Sequence, residues 1–210
     1  PYNCAYCHQT MGKVLRKRSV ESVLAEIQEL KSRYGFDEFE IADDCFNLDR
    51  QRMHEILNGI IDKRGKIKLH FPNGLRADIL EKEDIHLLKK AGTVSTFLAV
   101  ETTSPRLQKM IGKNLNLEKA TQAINGSVKA GIYTSGWFMI GFQTETYREA
   151  WATVSYACRS VLHRALFFIA MPYEGTGLAD MVPETLRKKT RDIFSNDMNH
   201  FRTMINISAM

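Results

Sequence analysis

The chain opens Pro1-Tyr2-Asn3-Cys4-Ala5-Tyr6-Cys7-His8, and the C-x2-C pair inside this stretch sets the terms on which everything after it is read. Thiolates at that spacing suit zinc, an iron-sulfur cluster, dithiol exchange and covalent haem attachment alike. Cys4-Ala5-Tyr6-Cys7-His8 matches the C-x-x-C-H haem pattern, with His8 as a candidate axial ligand, yet a haem protein has no use for the strand and helix units that follow. A thioredoxin-like dithiol puts its second cysteine in the first turn of a helix, where the dipole lowers the thiol pKa. Here mostly polar or basic residues, through Arg18, separate Cys7 from the first helical pattern. A zinc site needs two more ligands; Cys45 or His8 can serve, and no second C-x2-C or H-x3-H is present. A non-catalytic zinc or dithiol module is therefore the alternative to cluster chemistry.

Working outward from the loop, Val20, Val23, Leu24, Ile27 and Leu30 recur at helical spacing, with Ser19 placed to cap and Gly35 to terminate. The run from Glu38 to Ala42 reads as a short strand that meets Asp43-Asp44. Asp49 then caps a helix with the stripe Met53, Ile56, Leu57, Ile60 and Ile61, followed by a strand-like run from Ile67 to Phe71 whose tip carries Asn73, Gly74 and Arg76. Another helix closes at Ala91-Gly92, and the run from Val94 to Val100 reads as a buried strand ending at Glu101. Ser104-Pro105 opens a helical turn, Asn116 caps the next helix and Gly131 ends it. Strand-like residues run from Ile132 to Phe142, Thr146 with Glu149 forms a capping box, and the run from Ala165 to Met171 is one more strand leading into Pro172-Tyr173-Glu174-Gly175-Thr176.

Strands alternating with helices predict right-handed βαβ units around a parallel sheet. Polar residues gather just after the apolar runs, at Asp43, Asp44, Arg76, Glu101, Glu145 and Glu174. In a parallel α/β barrel such positions share the C-terminal face, where these folds place their chemistry. Residues 1–182 are predicted to form the core domain and residues 183–210 a C-terminal helical extension patterned by Leu186, Ile193, Met198, Phe201 and Ile205.

Composition narrows the class further. With 44% hydrophobic and 25% charged residues the chain reads as an ordinary globular domain rather than a disordered one. No stretch approaches the roughly 20 apolar residues that span a bilayer. A net charge of +5 supports affinity for anions and leaves nucleic acid open as a partner. Four cysteines are few for a disulfide scaffold of this size, so a reducing cytoplasm fits best. Cys158, inside a helical pattern, is expected to be a small core residue, and Cys45 to lie in a partly buried loop beside Phe46.

The loop, followed in order by Ile41-Ala42-Asp43-Asp44-Cys45-Phe46, Asn73-Gly74-Leu75-Arg76-Ala77-Asp78, Leu98-Ala99-Val100-Glu101-Thr102-Thr103-Ser104 and Gly136-Trp137-Phe138-Met139-Ile140-Gly141, resembles the radical S-adenosylmethionine superfamily over residues 1–178. Within it the set looks most like the cobalamin-dependent and methylthiotransferase-like group. The resemblance implies an α/β fold, a partial (βα)6 TIM-like barrel whose first strand lies outside this segment. It implies a 4Fe-4S cluster that reductively cleaves S-adenosylmethionine to a 5'-deoxyadenosyl radical, with methyl or methylthio transfer to a substrate as the outcome. It also implies an electron donor such as flavodoxin or ferredoxin, and cobalamin, where used, held by a domain outside the segment.

Residue by residue, the resemblance makes Cys4 and Cys7 iron ligands and puts Tyr6 near the adenine. It sets Asp43 and Asp44 at the cofactor amino group, and Arg76 and Glu101 near its carboxylate or ribose, with Lys113 able to reach the carboxylate. Phe138, Ile140 and Met171 are expected to line the adenine pocket. Two features depart from the family pattern: Gln143 stands where relatives often carry proline, and the first cysteine of C-x3-C-x2-C would fall immediately before Pro1. With two motif thiolates, the 210-residue segment is expected to hold a 4Fe-4S cluster poorly. Anaerobic iron-sulfide reconstitution should give stronger cluster absorbance in a chain extended by the preceding residue than in this one; equal absorbance would refute the expectation.

Overall fold

The computed structural model describes residues 2–7, 12, 14–63 and 66–183. The chain alternates helix and strand as α1 (Val20–Tyr34), β1 (Glu38–Glu40), α2 (Arg50–Asp62), β2 (Lys68–Leu75), α3 (Lys82–Lys90) and β3 (Thr93–Glu101). It continues as α4 (Pro105–Met110), α5 (Leu117–Lys129), β4 (Tyr133–Ile140), α6 (Tyr147–Arg159), β5 (Arg164–Ile169) and the short α7 (Gly177–Asp180). All five strands are parallel in the order β1-β2-β3-β4-β5, and the sheet is not closed. The predicted helix start signals act as such: the side chains of Ser19, Asp49, Ser104, Asn116 and Thr146 each accept a backbone N–H of the first turn that follows. The predicted extension from Glu184 onward lies outside the described residues.

Side-chain alternation splits the sheet into two faces. Leu69, Phe71, Leu98, Val100 and Phe138 turn outward into one hydrophobic core with the apolar stripes of the helices. From α2 that core receives Met53, Ile56, Leu57 and Ile60. Burying each such side chain contributes roughly 1.5–3 kcal/mol. The opposite, inner face carries His70, Ser95, Phe97, Ala99 and Trp137, all half-buried. There His70 bridges three strands, its Nδ1 2.7 Å from Ser95 Oγ and its Nε2 2.8 Å from Glu38 Oε1.

Two strand tips break the regular register, and both breaks serve the site. Between Phe71 and Leu75, β2 spends more residues than the two-residue step from Thr96 to Leu98 opposite it on β3. Gly74 absorbs the excess at φ 80°, where a Cβ would sit 2.8 Å from the Phe97 carbonyl oxygen. The strand therefore runs on through Leu75, past the predicted end at Phe71. On β3 the pairing jumps between Ala99 and Glu101, and Glu101 adopts φ 66°. A non-glycine residue in that region is strained and persists only where its surroundings hold it.

Other boundaries also shift. β1 is limited to Glu38–Glu40, β4 stops at Ile140 and β5 at Ile169. Cys158 is exposed rather than in the core, because it lies on the outer face of α6, away from the buried Thr153 and Ala157.

Glu149 ties the β3–α4 turn to the start of α6. It accepts from Ser104 Oγ at 2.6 Å, Arg106 Nη2 at 2.6 Å and Thr146 N at 3.0 Å. The Arg106 guanidinium beside it holds its carboxyl down at about 2. A depressed carboxylate stabilises the fold above its unfolded pKa, roughly 4.3, and that contribution disappears as pH falls toward the folded value. Glu149→Gln should cost about 1–2 kcal/mol in urea unfolding at neutral pH. The gap to the parent should narrow as pH drops below about 4, and a gap constant with pH would contradict this account.

Candidate functional site

The thiol loop is fastened by its own backbone. Ala5 N–H donates to the Ile111 carbonyl at 2.8 Å, and the Ala5 carbonyl accepts from Leu178 N–H at the start of α7 at 2.7 Å. Cys7 N–H closes a turn on the Cys4 carbonyl at 3.1 Å. The loop thus sits between the segment after α4 and the segment after β5, both beyond C-terminal strand ends. Gly112 lets it come close, since a Cβ there would lie 3.0 Å from the Asn3 carbonyl oxygen and φ is 67°. Beneath it Leu107, Ile111, Phe142, Ala170 and Leu178 form a second apolar cluster that Tyr6 packs against.

Three charged side chains from three segments converge beside the loop. Glu101 is buried, and its Oε1 accepts from the Tyr6 hydroxyl at 3.0 Å and from Lys113 Nζ at 2.9 Å. Arg76 forms a two-point ion pair with Asp78 at 2.8 and 3.2 Å, donates to the Lys113 carbonyl at 2.9 Å, and stacks its guanidinium 3.9 Å from the Tyr2 ring. Asn47 exchanges hydrogen bonds with the Arg76 backbone at 2.9 Å in each direction, which fixes the tip of β2.

The sulfurs have unlike electrostatics. A hydrogen bond from Cys7, with help from the Lys113 ammonium, lowers the buried Cys4 thiol to about 6, while the same bond pushes Cys7 well above the ordinary thiol value. Of the two sulfurs, Cys4 is the one whose ionised form the surroundings favour, which suits a soft donor. Burial first, and then the Glu101 charge, push the Tyr6 phenol far up, so Tyr6 stays a donor.

A cavity of about 420 Å³ opens between the loop and the strand tips. Cys4, Cys7, Tyr6, Asp44, Arg76, Glu101 and Lys113 all line it, so the structure gathers most of the predicted residues at one place. Asp43 is exposed beside Asp44 but does not line the cavity, nor do Ile140 and the buried Met171. The expectation for Phe138 is corrected: its ring is fully buried on the outer face of β4, stacked on Phe167 at 5.2 Å and set edge-on to Tyr156 of α6. Its neighbour Trp137 faces inward and lines the cavity instead. Strand alternation carried that signal, once β4 was anchored by its outward partners. Tyr2, Asn47 and Asp78 were also missed, because their roles depend on contacts distant in sequence. Cys45 lines the cavity half-buried, with burial raising its thiol, and donates weakly to Asn47 Oδ1 at 3.7 Å. Of the remaining polar strand tips, Glu145 folds its carboxylate onto the Gly141 and Phe142 N–H groups, and Glu174 is exposed.

Among the described residues no group of three or more His, Cys, Asp or Glu side chains converges as a metal site. What the loop offers is two soft sulfur donors at the rim of a cavity able to take a small molecule. That donor chemistry fits an iron-sulfur cluster in kind, with two of its ligands supplied here.

A thiol loop at the C-terminal face of an open parallel α/β sheet defines the class of a cofactor-dependent partial barrel. The sequence profile of the Radical SAM superfamily matches residues 1–157, and the chain belongs to that superfamily. It is 32% identical over 180 residues to an uncharacterized methyltransferase of Pyrococcus horikoshii, covering 85% of this chain and 39% of the relative. It is 30% identical to the cytidylyl-2-hydroxyethylphosphonate methyltransferase of Streptomyces wedmorensis, covering 84% and 34%, and 28% identical to a putative methylthiotransferase of Methanocaldococcus jannaschii, covering 86% and 42%. The chain thus spans well under half the length of these relatives.

Among solved structures, the radical S-adenosylmethionine methyltransferase TsrM of Kitasatospora setae, with cobalamin and a [4Fe-4S] cluster bound, superposes with a TM-score of 0.73 at 20% identity, over 84% of this chain and 36% of that one. The cobalamin-dependent radical enzyme OxsB gives a TM-score of 0.66 at 18% identity, over 99% and 31%. These two likenesses establish the shared fold. Membership implies a 4Fe-4S cluster and S-adenosylmethionine as cofactors, and with them a reductant and a substrate. No helix among the described residues is long and apolar enough to cross a membrane.

Lys113→Met would leave the Glu101 carboxylate buried without its cation, which typically costs about 3–5 kcal/mol. The double variant Glu101→Gln with Lys113→Met should be less destabilised in urea than the single variant. Additive losses would mean that the two side chains are not a coupled pair.

Proposed function

We propose that this chain is the core of a radical S-adenosylmethionine methyl- or methylthiotransferase, with methyl transfer favoured by the names of two of the relatives described above. The observation that carries the reading is the seating of Cys4 and Cys7 on a cavity walled by Glu101, Lys113 and Arg76.

In this reading Cys4 and Cys7 hold two irons of the cluster. When bound and reduced, the cluster supplies the electron that breaks a carbon-sulfur bond of S-adenosylmethionine. The chain's own groups bind and orient that cofactor. Its methionyl end is a zwitterion, and the cavity wall offers both signs of charge: Asp44 and Glu101 for the ammonium, Arg76 and Lys113 for the carboxylate. Each of these cations already has a protein partner, so it arrives positioned rather than free. The protonated Tyr6 hydroxyl stays on Glu101, and its ring covers the side of the cavity next to Cys7. Asp43 adds negative charge from the exposed side.

Cobalamin, bound in both of the solved structures described above, would come from a domain outside the chain. Flavodoxin or ferredoxin would serve as electron donor. Four free cysteines, two of them exposed, support a reducing compartment such as the cytoplasm.

The full-length protein, reconstituted with iron and sulfide under anaerobic reduction, should consume S-adenosylmethionine in a reductant-dependent way. Cys4→Ala or Cys7→Ala should lower the rate by at least about 100-fold, in line with loss of a group essential to the chemistry. A protein that binds zinc stoichiometrically through these sulfurs and leaves the cofactor untouched would establish the non-catalytic alternative instead.

A further inference from the structure

The inner face of the sheet does not end at the cofactor cavity. Trp137, which lines that cavity, stands in the middle of an aromatic surface shared by three strands, with Phe97 on the rung below and Phe168 on the rung above. The Phe97 ring of β3 lies 4.8 Å from the Trp137 ring of β4 at 32°, and Phe168 of β5 meets Trp137 edge-on at 6.3 Å. All three rings are half-buried, in contrast to the fully buried Phe71 and Phe138 on the outer face. The strand register explains the grouping. Trp137 stands opposite Ala99 on one side and Leu166 on the other, and Met139 stands opposite Phe168. Ala99, the small residue opposite the indole on β3, lines the cavity together with it. At the lower edge the exposed Arg164 guanidinium lies 5.4 Å from the Phe97 centroid, and its side chain makes no hydrogen bond or ion pair among the described residues.

Resting on the reading above, we propose that this surface seats the group acceptor, and that the acceptor is a planar aromatic or heteroaromatic molecule carrying a negative charge. Rings in offset and edge-on arrangements present both π faces and ring edges, which favour a flat π system over an aliphatic one of equal area. Arg164 supplies charge complementarity at the lower edge while already stacked on Phe97, a geometry guanidinium groups tolerate well. Trp137 is the residue shared with the cofactor cavity, and so fixes how near the acceptor lies to it.

The 210-residue chain has two tryptophans, Trp137 and Trp151, and Trp151 is 71% exposed on α6. In a Trp151→Phe background, Trp137 is the sole tryptophan reporter. Titration with 4-nitrobenzoate, a planar anion that quenches indole fluorescence, should give saturable quenching that cyclohexanecarboxylate at equal concentration does not displace. Phe97→Leu should weaken this binding about ten-fold and Arg164→Gln by about three-fold, sizes expected of one aromatic and one exposed cationic contact. Quenching that stays linear with concentration, or equal competition by the aliphatic acid, would overturn the proposal. The titration needs neither cluster nor reductant, so it can fail while S-adenosylmethionine turnover succeeds, and the reverse.

Discussion

The Glu101 carboxylate is the constraint on which the site depends. It is buried at a strained backbone position and accepts hydrogen bonds from two directions, Tyr6 of the thiol loop and Lys113 beyond α4. Lys113 in turn offers its carbonyl to Arg76 at the tip of β2, and Arg76 lies against the Tyr2 ring at the start of the same loop. The contacts therefore close into a ring around the cavity, from the loop to β3, to the post-α4 segment, to β2 and back. A buried charge is costly unless it is paired and hydrogen-bonded. Here that cost is offset by two donors, one of which, Tyr6, also ties the thiol loop to the tip of β3.

Local irregularity and function coincide in this sheet. Regular parallel strands would aim the residues at the ends of β2 and β3 alternately in and out. The bulge around Gly74 and the register jump before Glu101 re-aim both tips toward one point. Elsewhere, as between β4 and β5, the ladder runs one residue to one residue from Ser135 to Ile140. The β2–β3 ladder slips once more, between Leu69 and His70, while the non-glycine residue held at positive φ within a described strand is Glu101, at the rim that carries the chemistry.

The sequence announced the scaffold well because its signals are local. Caps such as Asn116 and the Thr146–Glu149 box, and the apolar stripe of α2, each depend on residues within a few positions. The polar tips Asp44, Arg76 and Glu101 were legible for the same reason, since each follows an apolar run. What stayed hidden depended on pairing between distant segments. The inward turn of Trp137, and the outward turn of Phe138, follow from which neighbours β4 meets in the sheet, and a strand apolar on both faces gives no internal cue. Asp78 as the partner of Arg76 and Asn47 as its clamp became visible only when the β1–α2 and β2–α3 connections were brought side by side. Cys158 was misjudged because a helix stripe shows its buried face only through the neighbours it packs against.

The central claim is that the sulfurs of Cys4 and Cys7 present a cluster to a cofactor lying in the adjoining cavity. Electron paramagnetic resonance of the reduced, iron-sulfide-loaded full-length protein, recorded before and after S-adenosylmethionine is added, tests it most directly. The account predicts a 4Fe-4S signal whose g-values move on addition of the cofactor and fail to move in Glu101→Gln, where the buried carboxylate lining the cavity is gone. A signal indifferent to the cofactor, or no cluster signal in the loaded protein, would contradict it.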